Sequence, residues 1–123
     1  MNTEARLALR PVPASAATAR QFVDDTLGGW GCEGFVDASR LLVSELVTNA
    51  VLHARTDIEV VVRAARRGVR VEVHDQSPAA PVVRRYDDEA MTGRGLALVD
   101  ELARRWGVDR EEGGKSVWFE LDD

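Results

Sequence analysis

The sequence holds a single cysteine, Cys32, and a single lysine, Lys115, and nowhere does it run apolar for long enough to cross a bilayer. One thiol closes no internal disulfide and builds no cysteine metal cage, so a reducing cytoplasm is the expected compartment. The other fifteen of the sixteen basic residues are arginine. Codon bias in a GC-rich genome is the plainer source of that imbalance, so individual arginines carry little functional weight. Ala14-Ser15-Ala16 has the look of a signal cleavage site, but Glu4, Arg6, Arg10, Pro11 and Pro13 leave no apolar stretch before it. Excess positive charge is missing too: the net charge is −5 and the pI about 5.1. Non-specific nucleic-acid binding, which depends on displacing counterions with basic surface, is therefore not expected, and neither is membrane association.

What is present suits a folded domain. The 123 residues are 45% hydrophobic and 30% charged, enough for one core, and we expect one domain over residues 1–123. Repeats, low-complexity segments and linkers are absent from the sequence.

Glu4 to Arg10 alternates as a strand, at a sheet edge, and Pro11 and Pro13 end it. Ser15 is positioned to cap a helix to Leu27, with Ala19, Phe22, Val23 and Leu27 inward and Gly28-Gly29 after it. A longer helix is expected from Phe35 or Val36 to Ala54. Ile58 to Ala64 and Val69 to Val73 alternate as two strands around an Arg66-Arg67-Gly68 turn. Periodicity then lapses from Gln76 to Thr92, a length that marks a lid or binding loop, and we place the lid at about 76–94. A third helix is expected over Leu96 to Trp106, carrying Asp100–Arg104 and Glu101–Arg105 ion pairs, followed by strands near Trp106–Asp109 and Ser116–Leu121. This order predicts an α+β fold, a two-layer α/β sandwich whose mixed, mainly antiparallel sheet has helices on one face.

The second helix carries the chemistry. Glu45, Asn49 and His53 are four apart, so each step turns by only roughly 40° and the three form a polar stripe. Leu41, Leu42, Leu46 and Leu52 share its arc. Arg40, Ser44 and Thr48 read as a solvated face. A carboxylate and an amide among leucines cost roughly 1–3 kcal/mol per unsatisfied group, so something should satisfy them: a ligand, a buried network, or a helix rotated so that Glu45 reaches water. His53 also reads as a helix-end charge. Asp75 continues the inward phase of Val69, Val71 and Val73, where its carboxylate is able either to accept an exocyclic amine or to cap the turn before Gln76-Ser77-Pro78. Gly93-Arg94-Gly95 ends the lid-length loop and opens the helix at Leu96, a backbone setting suited to anions. It is neither a Rossmann fingerprint nor a P-loop.

In this order, the segments Ser44–Ala54 (SELVTNAVLHA), Val71–Asp75 (VEVHD), Gly93–Val99 (GRGLALV) and Gly113–Leu121 (GGKSVWFEL) resemble the GHKL ATPase superfamily, and more closely its short anti-sigma serine kinases. The resemblance spans nearly the whole chain. It implies a Bergerat-type fold and ATP with Mg²⁺ as cofactors. It further implies Glu45 as general base, Asn49 as Mg²⁺ ligand, and Asp75 as the contact to the adenine amine. Gly93, Arg94, Gly95 and Leu96 would wrap the phosphates, and Ser116 would stand near the adenine, reaching Asp75 through water. The implied activity is a serine/threonine protein kinase whose partners are a sigma factor and an anti-sigma antagonist protein; the alternatives are a nucleotide-binding switch without phosphotransfer and a plain interaction module without nucleotide, which requires the stripe and Asp75 to be satisfied internally. The first strand and helix are able to support a homodimer. Where the family reads D-x-G-x-G, this chain reads Asp75-Gln76-Ser77-Pro78-Ala79, without either glycine.

Overall fold

A computed structural model describes residues 3–64, 66–77 and 99–122. Strand β1 (Glu4–Leu9) leads to helix α1 (Ser15–Gly29), and a short 3₁₀ turn (Glu33–Phe35) leads to α2 (Val36–Asn49). The last turn of α2 widens into a π-helical segment, Ala50–Ala54. Strands β2 (Ile58–Ala64), β3 (Gly68–Asp75), β4 (Arg105–Glu111) and β5 (Gly114–Asp122) complete the sheet in the order β1-β2-β3-β5-β4.

All four strand pairings are antiparallel, so the sheet expected to be mixed and mainly antiparallel is wholly antiparallel among the described residues. β1 lies at an edge, as its proline-terminated pattern predicts.

Directly paired residues share a face, and the register sorts the side chains into two sets. Val60, Val62, Val69, Val71, Val73, Val117, Phe119 and Leu121 join Ala19, Val23 and Leu27 of α1 and Leu42, Val43, Leu46 and Val47 of α2 in one core. α1 packs along α2 and against β1 and β2, while α2 packs on β3. The opposite face carries charge. Glu4, Arg63, Arg70, Glu120 and Arg105 form one row across five strands. Arg63 and Arg70 both donate to Glu72 (2.5 and 2.8 Å), and Arg70 also reaches Glu120 (2.8 Å) while stacking 4.1 Å over the Trp118 ring. The network satisfies a nearly buried carboxylate, Glu72, which alone would be costly.

Three local expectations change. The Ser15 hydroxyl does not cap its helix; it donates back to the Arg10 carbonyl (2.6 Å), tying α1 to the end of β1. The Arg40–Ser44 side of α2 is not simply solvated, because it faces α1: Arg20 donates to Ser44 (2.7 Å) and Arg40 pairs with Asp24 (3.0 Å), leaving only Thr48 of that set without such a link. The third helix is helical over 99–102 but stops before residue 103, and Trp106 lies in β4. Its anticipated ion pairs do not form: once the helix has ended, Arg104 pairs with Asp122 (3.7 Å) and Arg105, the first residue of β4, with Glu120 (2.6 Å). Asp100 instead accepts from the Trp106 indole (3.0 Å).

Candidate functional site

Helix α2 brings its polar stripe to the boundary between core and surface. Leu42 and Leu46, on one flank of the stripe, are buried, whereas Leu41 and Leu52, on the other, are 41% and 55% exposed. The shared leucine arc is therefore split, and Glu45 stands half-buried on the dividing line. No hydrogen bond or ion pair engages its carboxylate among the described residues. Asn49, one turn on, is 7% exposed, and its amide nitrogen Nδ2 has no acceptor among the described residues. A buried donor left unmet costs about 1–3 kcal/mol, so this amide calls for an acceptor beyond the described residues, whether from a ligand or from elsewhere in the chain. Directly after Asn49 the backbone passes into the π turn, which ends when Arg55 adopts a left-handed conformation (φ 59°) and donates its N–H to the Ala50 carbonyl (3.1 Å). Single π turns of this kind recur at functional positions. His53 lies within it, half-buried.

Asp75 closes β3 on the helix-facing side of the sheet, continuing the valine row as its sequence phase predicts, and is 5% exposed. Its Oδ1 accepts from the Ser77 backbone N–H (2.9 Å), so the turn-capping reading is realised. Its Oδ2 accepts from the ammonium of Lys115, the residue directly opposite on β5. Gly114 makes this approach possible, since a Cβ there would fall 2.1 Å from the Asp75 carbonyl oxygen.

Ser116 falls elsewhere. Its partner in the register is His74, which places it on the charged face of the sheet, and the position beside Asp75 belongs to Lys115. One residue of strand phase separates the two outcomes. Lys115 was legible in the sequence as the sole lysine, but its pairing depends on the β3–β5 register, which spacing alone does not set. Gly93, Arg94, Gly95 and Leu96, like most of the lid placed at 76–94, lie outside the described residues.

A cavity of about 400 Å³ opens at the end of β3, lined by Asp57, Glu59, His74, Asp75, Glu111 and Glu112 among others. Its several carboxylates make it hostile to a polyphosphate. His74 in its wall bonds Glu72 (2.8 Å) and Glu111 (3.1 Å). Burial pulls its pKa down, but hydrogen bonds to the two carboxylates outweigh burial and raise it above the ordinary 6.5. Glu72 moves the other way: burial pushes it up, but Arg70, His74 and Arg63 hold it below the ordinary 4.5.

Residues 9–121 match the family of the histidine kinase-like ATPase domain. The chain belongs to that family. Membership covers the elements just described and supports ATP binding by this domain. No curated protein matches the chain. Within the histidine kinase-like ATPase fold, the half-buried acid, the unmet amide and the strand-end carboxylate occupy the helix and strand that the sequence segments singled out. No helix among the described residues is long and apolar enough to cross a membrane.

Proposed function

We propose that the chain is a cytoplasmic, anti-sigma-type serine/threonine protein kinase that uses ATP and Mg²⁺ to phosphorylate an anti-sigma antagonist and so regulates a sigma factor. The observation that carries this reading is the pair on α2: a half-buried carboxylate without a partner among the described residues, one turn before a buried amide whose Nδ2 lacks an acceptor. Phosphoryl transfer asks a protein mainly for positioning and charge neutralisation, which a few well-placed groups supply.

The residues fit a hydrated divalent cation held jointly with phosphates. Among the described residues no trio of His, Cys, Asp or Glu converges on a metal. Mg²⁺ commonly needs only one or two protein oxygens beside phosphate and water. The Asn49 side-chain oxygen would hold it and its nitrogen would donate to a phosphate oxygen. When bound, Mg²⁺ neutralises charge on the phosphates. Asp75 would accept a proton of the adenine amine. Glu45 would take the proton of the attacking serine hydroxyl as its oxygen bonds to the γ-phosphorus and the bond to the β–γ bridging oxygen breaks, releasing ADP.

Two features favour the second reading, a nucleotide-binding partner switch without transfer. The Asp75 carboxylate already carries an ammonium, and both glycines of the usual box are replaced. Calorimetric titration with ATP, with and without Mg²⁺, separates the cases. Binding is expected, strengthened by Mg²⁺ and weakened at least tenfold by Asp75→Asn, in keeping with the cost of losing a charged hydrogen-bond partner. Absence of binding at millimolar ATP defeats both readings. With a cognate antagonist, Glu45→Ala should abolish phosphorylation while ATP still binds; unchanged phosphorylation rules out Glu45 as the base. Binding by wild type with no transfer to any antagonist establishes the switch.

A further inference from the structure

β4 forms the edge of the sheet opposite β1, and among the described residues no strand lies along its outer side. Sheet edges expose unpaired N–H and C=O groups and recruit other strands unless proline, a bulge or charge prevents it. Arg105–Glu111 contains no proline, and all of it pairs in unbroken register with β5. Charge is what guards this edge, and the charge follows a pattern. Across Val108 as centre, Gly107 mirrors Asp109, Trp106 mirrors Arg110 and Arg105 mirrors Glu111.

A second copy running antiparallel along the edge turns that pattern into complementarity. Directly paired residues share a face, so keeping the helices of both copies on one side of a joined sheet requires a register centred on a single residue. Centred on Val108, the whole of β4 pairs. Arg105 then meets the partner's Glu111 on the charged face. Trp106 meets the partner's Arg110 on the helix face, an arrangement suited to a cation–π contact. Symmetry makes each contact twice, and Val108 meets its equivalent between them. Centred on Gly107, only 105–109 pair, and Arg104 falls opposite the partner's Arg110. Centred on Asp109, two carboxylates collide. Registers farther from the middle leave most of β4 unpaired.

The groups that this register needs are accessible. Asp109 and Arg110 are exposed and have no ion pair among the described residues. Arg105 is 69% exposed and bonds Glu120 through Nε and Nη2, which leaves Nη1 for a second carboxylate. Glu111 is 40% exposed and contacts His74. The β1 edge differs, because its charges are spent within the chain: Arg6 on Glu4 and Glu59, and Glu4 on Arg63 as well.

We infer that the outer edge of β4 is a self-recognition surface, on which a second copy of this chain pairs antiparallel about Val108 and joins the two sheets into one.

The test is sedimentation velocity on the full chain at concentrations up to about 200 µM. An edge-only contact is small, so wild type should show a monomer–dimer equilibrium in the micromolar range that weakens as salt is raised. Arg105→Glu sets carboxylate against carboxylate at both ends of the pair, and Glu111→Arg sets cation against cation. Each variant alone should weaken self-association at least about tenfold. An equimolar mixture of the two should recover it, since every like-charge contact then becomes an opposite-charge one. Circular dichroism checks that both are folded; if either is not, Arg110→Ala takes their place and should weaken association about fivefold through the lost cation–π contacts. Arg6→Ala on the β1 edge should leave association unchanged. A wild type that stays monomeric at about 200 µM overturns the inference. So does a dimer that the folded charge variants leave intact, a mixture that fails to recover, or a dimer lost in Arg6→Ala, which would move the interface to the other edge.

Discussion

The two faces of the sheet are written in the same strands, one residue out of phase, and they are held together by different physics. On the helix side, valines, Phe119 and Leu121 are stacked without polar partners and contribute through area removed from water. On the other side, Arg63, Arg70, Glu72, His74 and Glu120 are linked by hydrogen bonds from strand to strand. The first kind of stability carries no charge to titrate or screen; the second responds to both pH and ionic strength. The apolar face changes character only at its end, where the row of valines gives way to Asp75 and Lys115. Candidate function begins where that row stops.

Phe119→Ala is the hardest blow to this contrast. Phe119 is fully buried on the helix face, and its truncation should cost about 3–5 kcal/mol in urea unfolding, independent of pH. On the charged face, Glu72→Gln should cost about 1–3 kcal/mol, because it removes the charge that Arg63, Arg70 and His74 share, and raising the salt concentration should shrink the difference.

Titration sharpens the distinction further. The raised pKa of His74 means that its contribution is complete below the ordinary 6.5 and is lost as pH climbs through the raised folded value. The lowered pKa of Glu72 means that its contribution is present above the ordinary 4.5 and is lost as pH falls through the lowered folded value. The charged face is thus strongest between 4.5 and 6.5. Thermal unfolding followed across pH 4–9 should show His74→Gln flattening the upper limb only. The smallest effect is expected from Arg6→Ala on the edge strand: its ion pairs are exposed, and the unfolding midpoint should not move measurably.

Period and punctuation were enough to read most of the fold. β1, β2, β3 and the helix from Val36 through Ala54 follow directly from alternation, prolines, glycines and four-residue spacing. Boundaries failed where tertiary contacts outweighed local pattern. Trp106 fits a helical stripe as well as a strand, and only pairing with Phe119 decides for the strand. At the site, the phase of Asp75 and the burial of Asn49 were legible because each continues a pattern on its own element. Ser116 and Lys115 were not separable by sequence, since neighbours in a strand face opposite ways and their sense is fixed by partners forty residues earlier.

The turn that ends the second helix carries one last consequence. Arg55 holds a backbone conformation that costs a side-chain-bearing residue about 1 kcal/mol and a glycine almost nothing. Evolution has left an inexpensive gain untaken here, on the surface and two positions past His53. An engineer seeking a hardier protein for crystallisation could begin at this spot, raising heat tolerance by a few degrees while leaving every proposed nucleotide contact as it is.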